Sequence, residues 1–136
     1  MNILVDTNVL LSAALRDRLP EKVVRYVATD DACRWLVTLE IHKEYLEVLK
    51  RPKFGLSQEV LQPWTELIEM RSIIVPSPPI AIDFPRDPKD APYLSAAVAT
   101  GADYLITGDK DLLHAKVSIP TRIVTVAEFA AEFHIS

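Results

Sequence analysis

Tyr104-Leu105-Ile106-Thr107-Gly108-Asp109 is an apolar run closed by a glycine and an acid, and Ile3-Leu4-Val5-Asp6 follows the same plan near the N-terminus. Each run is short and continuously apolar, as expected of a strand buried on both faces. Working outward, Thr7 to Leu15 predicts a helix capped by the Asp6-Thr7-Asn8 turn. Pro20 to about Thr29 predicts a second, with Pro20 near its first position. Arg34 to Val37 is the next strand. Thr38 then caps a helix to about Lys50, stopped by Pro52, and Ser57 caps one to about Arg71, which Pro63 should bend or break. Ile73 to Val75 is a third strand, and the proline-rich stretch 76–88 a stiff connecting loop. A helix opening at Asp90 and running to about Thr100, the strand 104–107, a short helical piece around Leu112 and the strand Ile123-Val124 follow. Thr125-Val126-Ala127-Glu128 matches a capping box and opens the last helix. Helices alternating with strands predict an α/β sandwich around a mostly parallel sheet.

At 136 residues and 49% hydrophobic, the chain is expected to be one domain over 1–136 with a proper core. The lone Cys33 excludes an intrachain disulfide, fits a reducing compartment, and is expected to be a small buried hydrophobe. His42, His114 and His134 are scattered, so no zinc cluster is indicated. Neither a targeting segment nor an apolar run approaching the roughly 18 residues of a membrane span is present, which predicts a soluble, cytoplasmic protein. The net charge of −4 leans slightly against nucleic acid, but it counts carboxylates that a bound metal would neutralise.

Those carboxylates carry the functional reading. Asp6 and Asp109 end strands, and open parallel sheets bind ligands beyond the carboxyl ends of their strands. On the helix from Thr38, Ile41, Tyr45, Val48 and Leu49 share one face; Glu44 borders it, while Glu40 and Glu47 point to solvent and can pair with Lys43 or Lys50. In Asp87-Pro88-Lys89-Asp90, either acid can cap the following helix. Taken singly, each acid has an ordinary reading: Asp6 as an N-cap, Asp109 in a plain turn, Asp111 as the cap of the Leu112-Leu113 helix. Gathered together, ionised carboxylates repel unless a cation neutralises them, and hard oxygen ligands point to Mg²⁺ or Mn²⁺. Asn8 or Thr7 is a candidate to hold the Asp6 carboxylate, and Thr107 or Asn8 to position water or a carboxylate.

These motifs resemble the PIN-domain nucleases. Met1 to Leu10 is similar to that family's opening strand and first acid, Asp6. Glu44-Tyr45 with Val48-Leu49 and Arg51-Pro52-Lys53-Phe54 resembles the segment of its glutamate. Asp87-Pro88-Lys89-Asp90 and the helix Tyr93 to Ala99 resemble the third-acid segment, which falls on Asp90, although Pro92 departs from the usual pattern. Ala102 to Leu113 resembles the segment of the fourth acid, Asp109. The similarity runs from Asn2 to about Phe129, and the branch it resembles most is that of toxins in toxin–antitoxin pairs. The resemblance implies a five-stranded parallel sheet and a small metal-dependent ribonuclease that uses Asp6, Glu44, Asp90 and Asp109 with Mg²⁺ or Mn²⁺. It further implies RNA as substrate, frequent homodimers, and a small antitoxin partner.

Two other classes fit the residues less well. A non-catalytic PIN-like module binding RNA or protein would have no reason to keep four mutually repelling acids. A receiver-type phosphoacceptor would need an adjacent acidic pair after the first strand, where Thr7-Asn8 stands, and an acceptor where Val37 and Thr38 stand. Lys50-Arg51-Lys53 is the best local cluster for an RNA backbone, or else a solvated helix end. Val9, Leu10, Ala13, Val23, Val24 and Val27 offer either a dimer surface or a face buried on the sheet.

Overall fold

The computed structural model describes residues 1–76, 91–115 and 119–136. Five strands form one parallel sheet: β1 (Asn2–Val5), β2 (Arg34–Val37), β3 (Ser72–Ile74), β4 (Tyr104–Ile106) and β5 (Arg122–Val124). Their order is β3-β2-β1-β4-β5. The chain therefore lays strands outward to one side of β1, then crosses over and lays the others on the opposite side. β1 is central, and Ile3, Leu4 and Val5 are at most 1% exposed, which explains a run with no polar alternation.

The helices are α1 (Thr7–Ala14), α2 (Arg18–Thr29), α3 (Leu39–Leu49), α4 (Gln58–Arg71), α5 (Ala91–Thr100), α6 (Lys110–Leu113) and α7 (Val126–Glu132). Their starts follow the capping chemistry. Asp6 accepts from Asn8 N at the head of α1, Thr38 accepts from Ile41 N at the head of α3, and Thr125 with Glu128 closes a complete capping box. α3 ends at Pro52, which begins a 3₁₀ turn, Pro52–Phe54, that closes on Gly55 in the left-handed region.

Several expectations need correction. α2 begins at Arg18, so Pro20 is its third residue; the first turn tolerates proline because its N–H groups have no helical acceptor. Pro63 does not break α4, which is continuous with Pro63 inside it. Pro63 and Glu59 are both exposed, so water can satisfy the carbonyl that proline leaves unpaired, while buried Trp64 and Ile68 pin the helix to the core. Asp109, not Asp111, caps α6; its side chain accepts from Asp111 N, which puts Asp111 inside the first turn. Cys33 is half-buried rather than core, and burial pushes its thiol above the ordinary range. Glu47 pairs with Arg51, 2.9 Å away, rather than with a lysine. Val9, Leu10, Ala13, Val23, Val24 and Val27 are all core residues, at most 4% exposed, so that face is spent inside the chain and is not a dimer surface.

Candidate active site

Parallel pairing brings the first two acids together. β1 and β4 are in register with Val5 beside Ile106. One step further, Asp6 N donates to Ile106 O at 2.9 Å, which continues the ladder and sets Asp6 beside Thr107. β1 and β4 are also where the strand order reverses, the crevice in which open α/β sheets bind ligands.

Thr107 is wholly buried, and its hydroxyl donates to Asp6 Oδ2 at 2.6 Å. Thr107 Oγ1 in turn accepts from Asp109 N at 3.0 Å. One hydroxyl thus fixes both a carboxylate and the backbone that carries a second. Asn8 N donates to Asp6 Oδ1 at 3.2 Å, and Asp111 N to Asp109 Oδ1 at 2.8 Å. Asn8 therefore braces Asp6 through its backbone rather than its side chain.

Glu44 arrives from α3, which packs against α1. The Thr7 side chain lies beside its carboxylate and lowers its pKa, and the Thr7 backbone does the same for Asp6. Tyr93 on α5 braces the same turn: Thr7 N donates to the Tyr93 hydroxyl at 2.9 Å, and that hydroxyl is hydrogen-bonded to Thr7 Oγ1. Tyr45, fully buried one residue after Glu44, donates to Val5 O and accepts from Trp35 Nε1 at 3.4 Å. That bond ties α3 to the strand end that delivers Asp6.

Burial raises the Asp6 carboxyl above its ordinary range, partly offset by the Thr107 and Asn8 hydrogen bonds and reinforced by the Asp109 charge. Glu44 is raised first by burial and then by Asp6, Glu40 and Glu47, against the lowering effect of Thr7. Burial also pushes the phenols of Tyr45 and Tyr93 up, which keeps them as neutral donors.

Asp90 and Asp87 lie outside the described residues, as does the proline-rich stretch beyond Pro76. Among the described residues, no three His, Cys, Asp or Glu side chains converge into a cage for an ion. The donor set nonetheless suits Mg²⁺ or Mn²⁺, for which hard, anionic oxygens are the preferred ligands. Mg²⁺ keeps several of its waters and takes one or two carboxylates together with substrate phosphate, so no full protein cage is required. Sequence reasoning overlooked Tyr93, which resembled an ordinary apolar-helix residue. Its hydroxyl, in a stretch otherwise made of small and apolar residues, was the only signal.

The acids thus gather at the carboxyl ends of the two central strands, at the switch point of the sheet. The family model for the PIN domain matches residues 2–111, and the chain belongs to that family, whose members are mostly metal-dependent nucleases and usually bind divalent metals. No curated protein matches the chain. Among the described residues, no helix is long and apolar enough to cross a membrane.

Proposed function

We propose that the protein is a metal-dependent endoribonuclease, one domain over 1–136, with Asp6, Glu44, Asp90 and Asp109 as its acidic set. The observation that carries this reading is the Thr107 hydroxyl, which holds Asp6 and positions Asp109 at the switch point of the sheet. When bound, Mg²⁺ or Mn²⁺ supplies Lewis acidity and lowers the pKa of water for attack at phosphorus. Asp6 and Asp109 would hold the ion. Hydrogen bonds already fix one oxygen of Asp109 and both of Asp6, so the rotamers are set before any ligand arrives. Glu44, beside Thr7 at the head of α1, stands as a further acid of the set and would orient water. Asp90, three residues before Tyr93, is assigned from the motif alone.

Lys50, Arg51 and Lys53 are exposed on the 3₁₀ turn side of α3. Arg51 is engaged by Glu47, and Lys53 lies 5.0 Å over the Phe54 ring, so Lys50 is the freest cation for an RNA phosphate. A toxin role, with a small antitoxin covering the crevice and a homodimer as the working form, belongs to the same proposal and rests on the family branch.

The test is cleavage of a mixed panel of single-stranded and structured RNAs with Mn²⁺, Mg²⁺ or chelator, beside Asp6→Asn and Asp109→Asn. Cutting that requires metal and falls by at least about 100-fold in each variant, with the fold retained, supports the assignment. Cleavage that survives in both variants refutes it.

A further inference from the structure

A cavity of about 270 Å³ opens beside the acids, between α1, the first turn of α2, the loop after β4 and the start of α7. Val9, Pro20 and Val126 give it apolar walls; Asn8, Ser12 and Gly108 contribute its polar and open edges, and Asp109 forms the border it shares with the acidic site. No cation lines it, and Asp109 would repel a phosphate there. Clefts for drug-sized ligands start near about 300 Å³, so this one suits a single ring system rather than a length of strand.

The polar groups match such a guest. The Asn8 amide offers both donors and an acceptor, and the Ser12 hydroxyl offers either. Asn8 is exposed, and among the described residues its side chain has no hydrogen-bond partner. Gly108 adds an independent observation. Its backbone lies outside the left-handed region, and a Cβ built there would meet nothing within 4 Å. The space beside its Cα at the cavity rim is therefore open. Its bare backbone provides close approach for a ligand.

We propose that this cavity receives one unpaired nucleobase of the strand whose phosphate lies at the acids, with Asn8 and Ser12 reading the edge of the base. The proposal rests on the nuclease reading and deepens it. A base can enter such a pocket only when it is out of the duplex, with its face and edge both available. The protein therefore prefers certain bases next to the cut.

The test is nitrogen-15 NMR of the full chain in chelator, titrated separately with adenosine, guanosine, cytidine and uridine. At least one nucleoside should shift the signals of the Asn8 side-chain amide, Ser12 and Gly108 with millimolar affinity. Ser12→Leu, which fills the cavity, should abolish the shifts. Gly108→Val, which adds atoms only where space is open, should weaken them by about tenfold and leave the melting temperature unchanged. Failure of every nucleoside to move these signals, or identical shifts in both variants, overturns the pocket. The readout needs neither metal nor cleavage: nucleoside binding without RNA cutting would count against the nuclease alone, and cutting without nucleoside binding against the pocket alone.

Discussion

Thr107→Val tests whether one buried hydroxyl holds the site together. Valine keeps the branched shape at a position that is fully enclosed, so the change removes chemistry and almost no volume. It deletes the 2.6 Å bond to Asp6 Oδ2 and the acceptor for Asp109 N. A hydrogen bond to a charged group contributes about 1.5–3 kcal/mol and a neutral one about 0.5–1.5 kcal/mol, for a combined loss of about 2–4 kcal/mol near neutral pH. For a chain of this size that is a fall of about 6–15 °C in melting temperature. The loss also depends on pH. The Thr107 bond lowers an Asp6 carboxyl that burial raises, so the variant's folded pKa lies higher still. Between the two folded pKa values, the variant binds more protons in its native state than the wild type does, and the penalty grows as pH rises through that interval. Below both values Asp6 is protonated in either protein, and the penalty shrinks to that of neutral bonds. Urea denaturation in chelator from about pH 4 to pH 8 measures this, with Asp6→Asn as the second arm of a double-mutant cycle. A penalty independent of pH, and equally large in the Asp6→Asn background, would refute the reasoning.

Other perturbations act on the same framework. The folded pKa values of Asp6 and Glu44 are raised above their unfolded values, so the stability they contribute is present when they are protonated and is lost as pH rises through the folded pKa. Metal-free protein should therefore lose stability from mildly acidic to neutral pH, Asp6→Asn should flatten that slope, and Mn²⁺ at neutral pH should restore the lost stability; thermal melts with and without chelator check all three. Tyr45→Phe leaves Val5 O without its donor in the core and should cost about 1–3 kcal/mol by urea titration with an unchanged m-value. If Tyr93 only fills space, Tyr93→Phe will leave the pH dependence of cleavage unchanged; as the group that braces Thr7 beside Asp6 and Glu44, its hydroxyl's removal should shift that profile.

β1 and β4 were legible because they are buried on both faces: Ile3-Leu4-Val5 and Tyr104-Leu105-Ile106 have no alternation to misread. Caps made of side chains were equally legible, as Thr38 and Thr125 show. α2 was misjudged at its start because Asp17 makes no side-chain cap bond, and position 20 looked like a first residue on proline preference alone. Pro63 misled for a related reason: local propensity cannot see that Trp64 and Ile68 anchor the helix. In the site, helical periodicity singled out Glu44 from Glu40 and Glu47, and the two outer acids are indeed exposed. The partners of the acids were not legible. Which hydroxyl meets which carboxylate depends on strand register and on the approach of α5, and the spacing between Thr7 and Tyr93 encodes neither.

The central position of β1 has a consequence for synthesis. This first strand must wait for β4, whose residues emerge about a hundred positions later, before its second side is paired. Pairings so distant in sequence are slow to close, and they leave the first strand's edge open in the meantime. Asp6 is made about a hundred residues before Thr107, which holds it, and before Asp109, which stands beside it. A chain that stops before Tyr104 has one acid of the pair and no strand to hold it. The timing of translation itself therefore keeps the site from forming until Thr107 and Asp109 have been made.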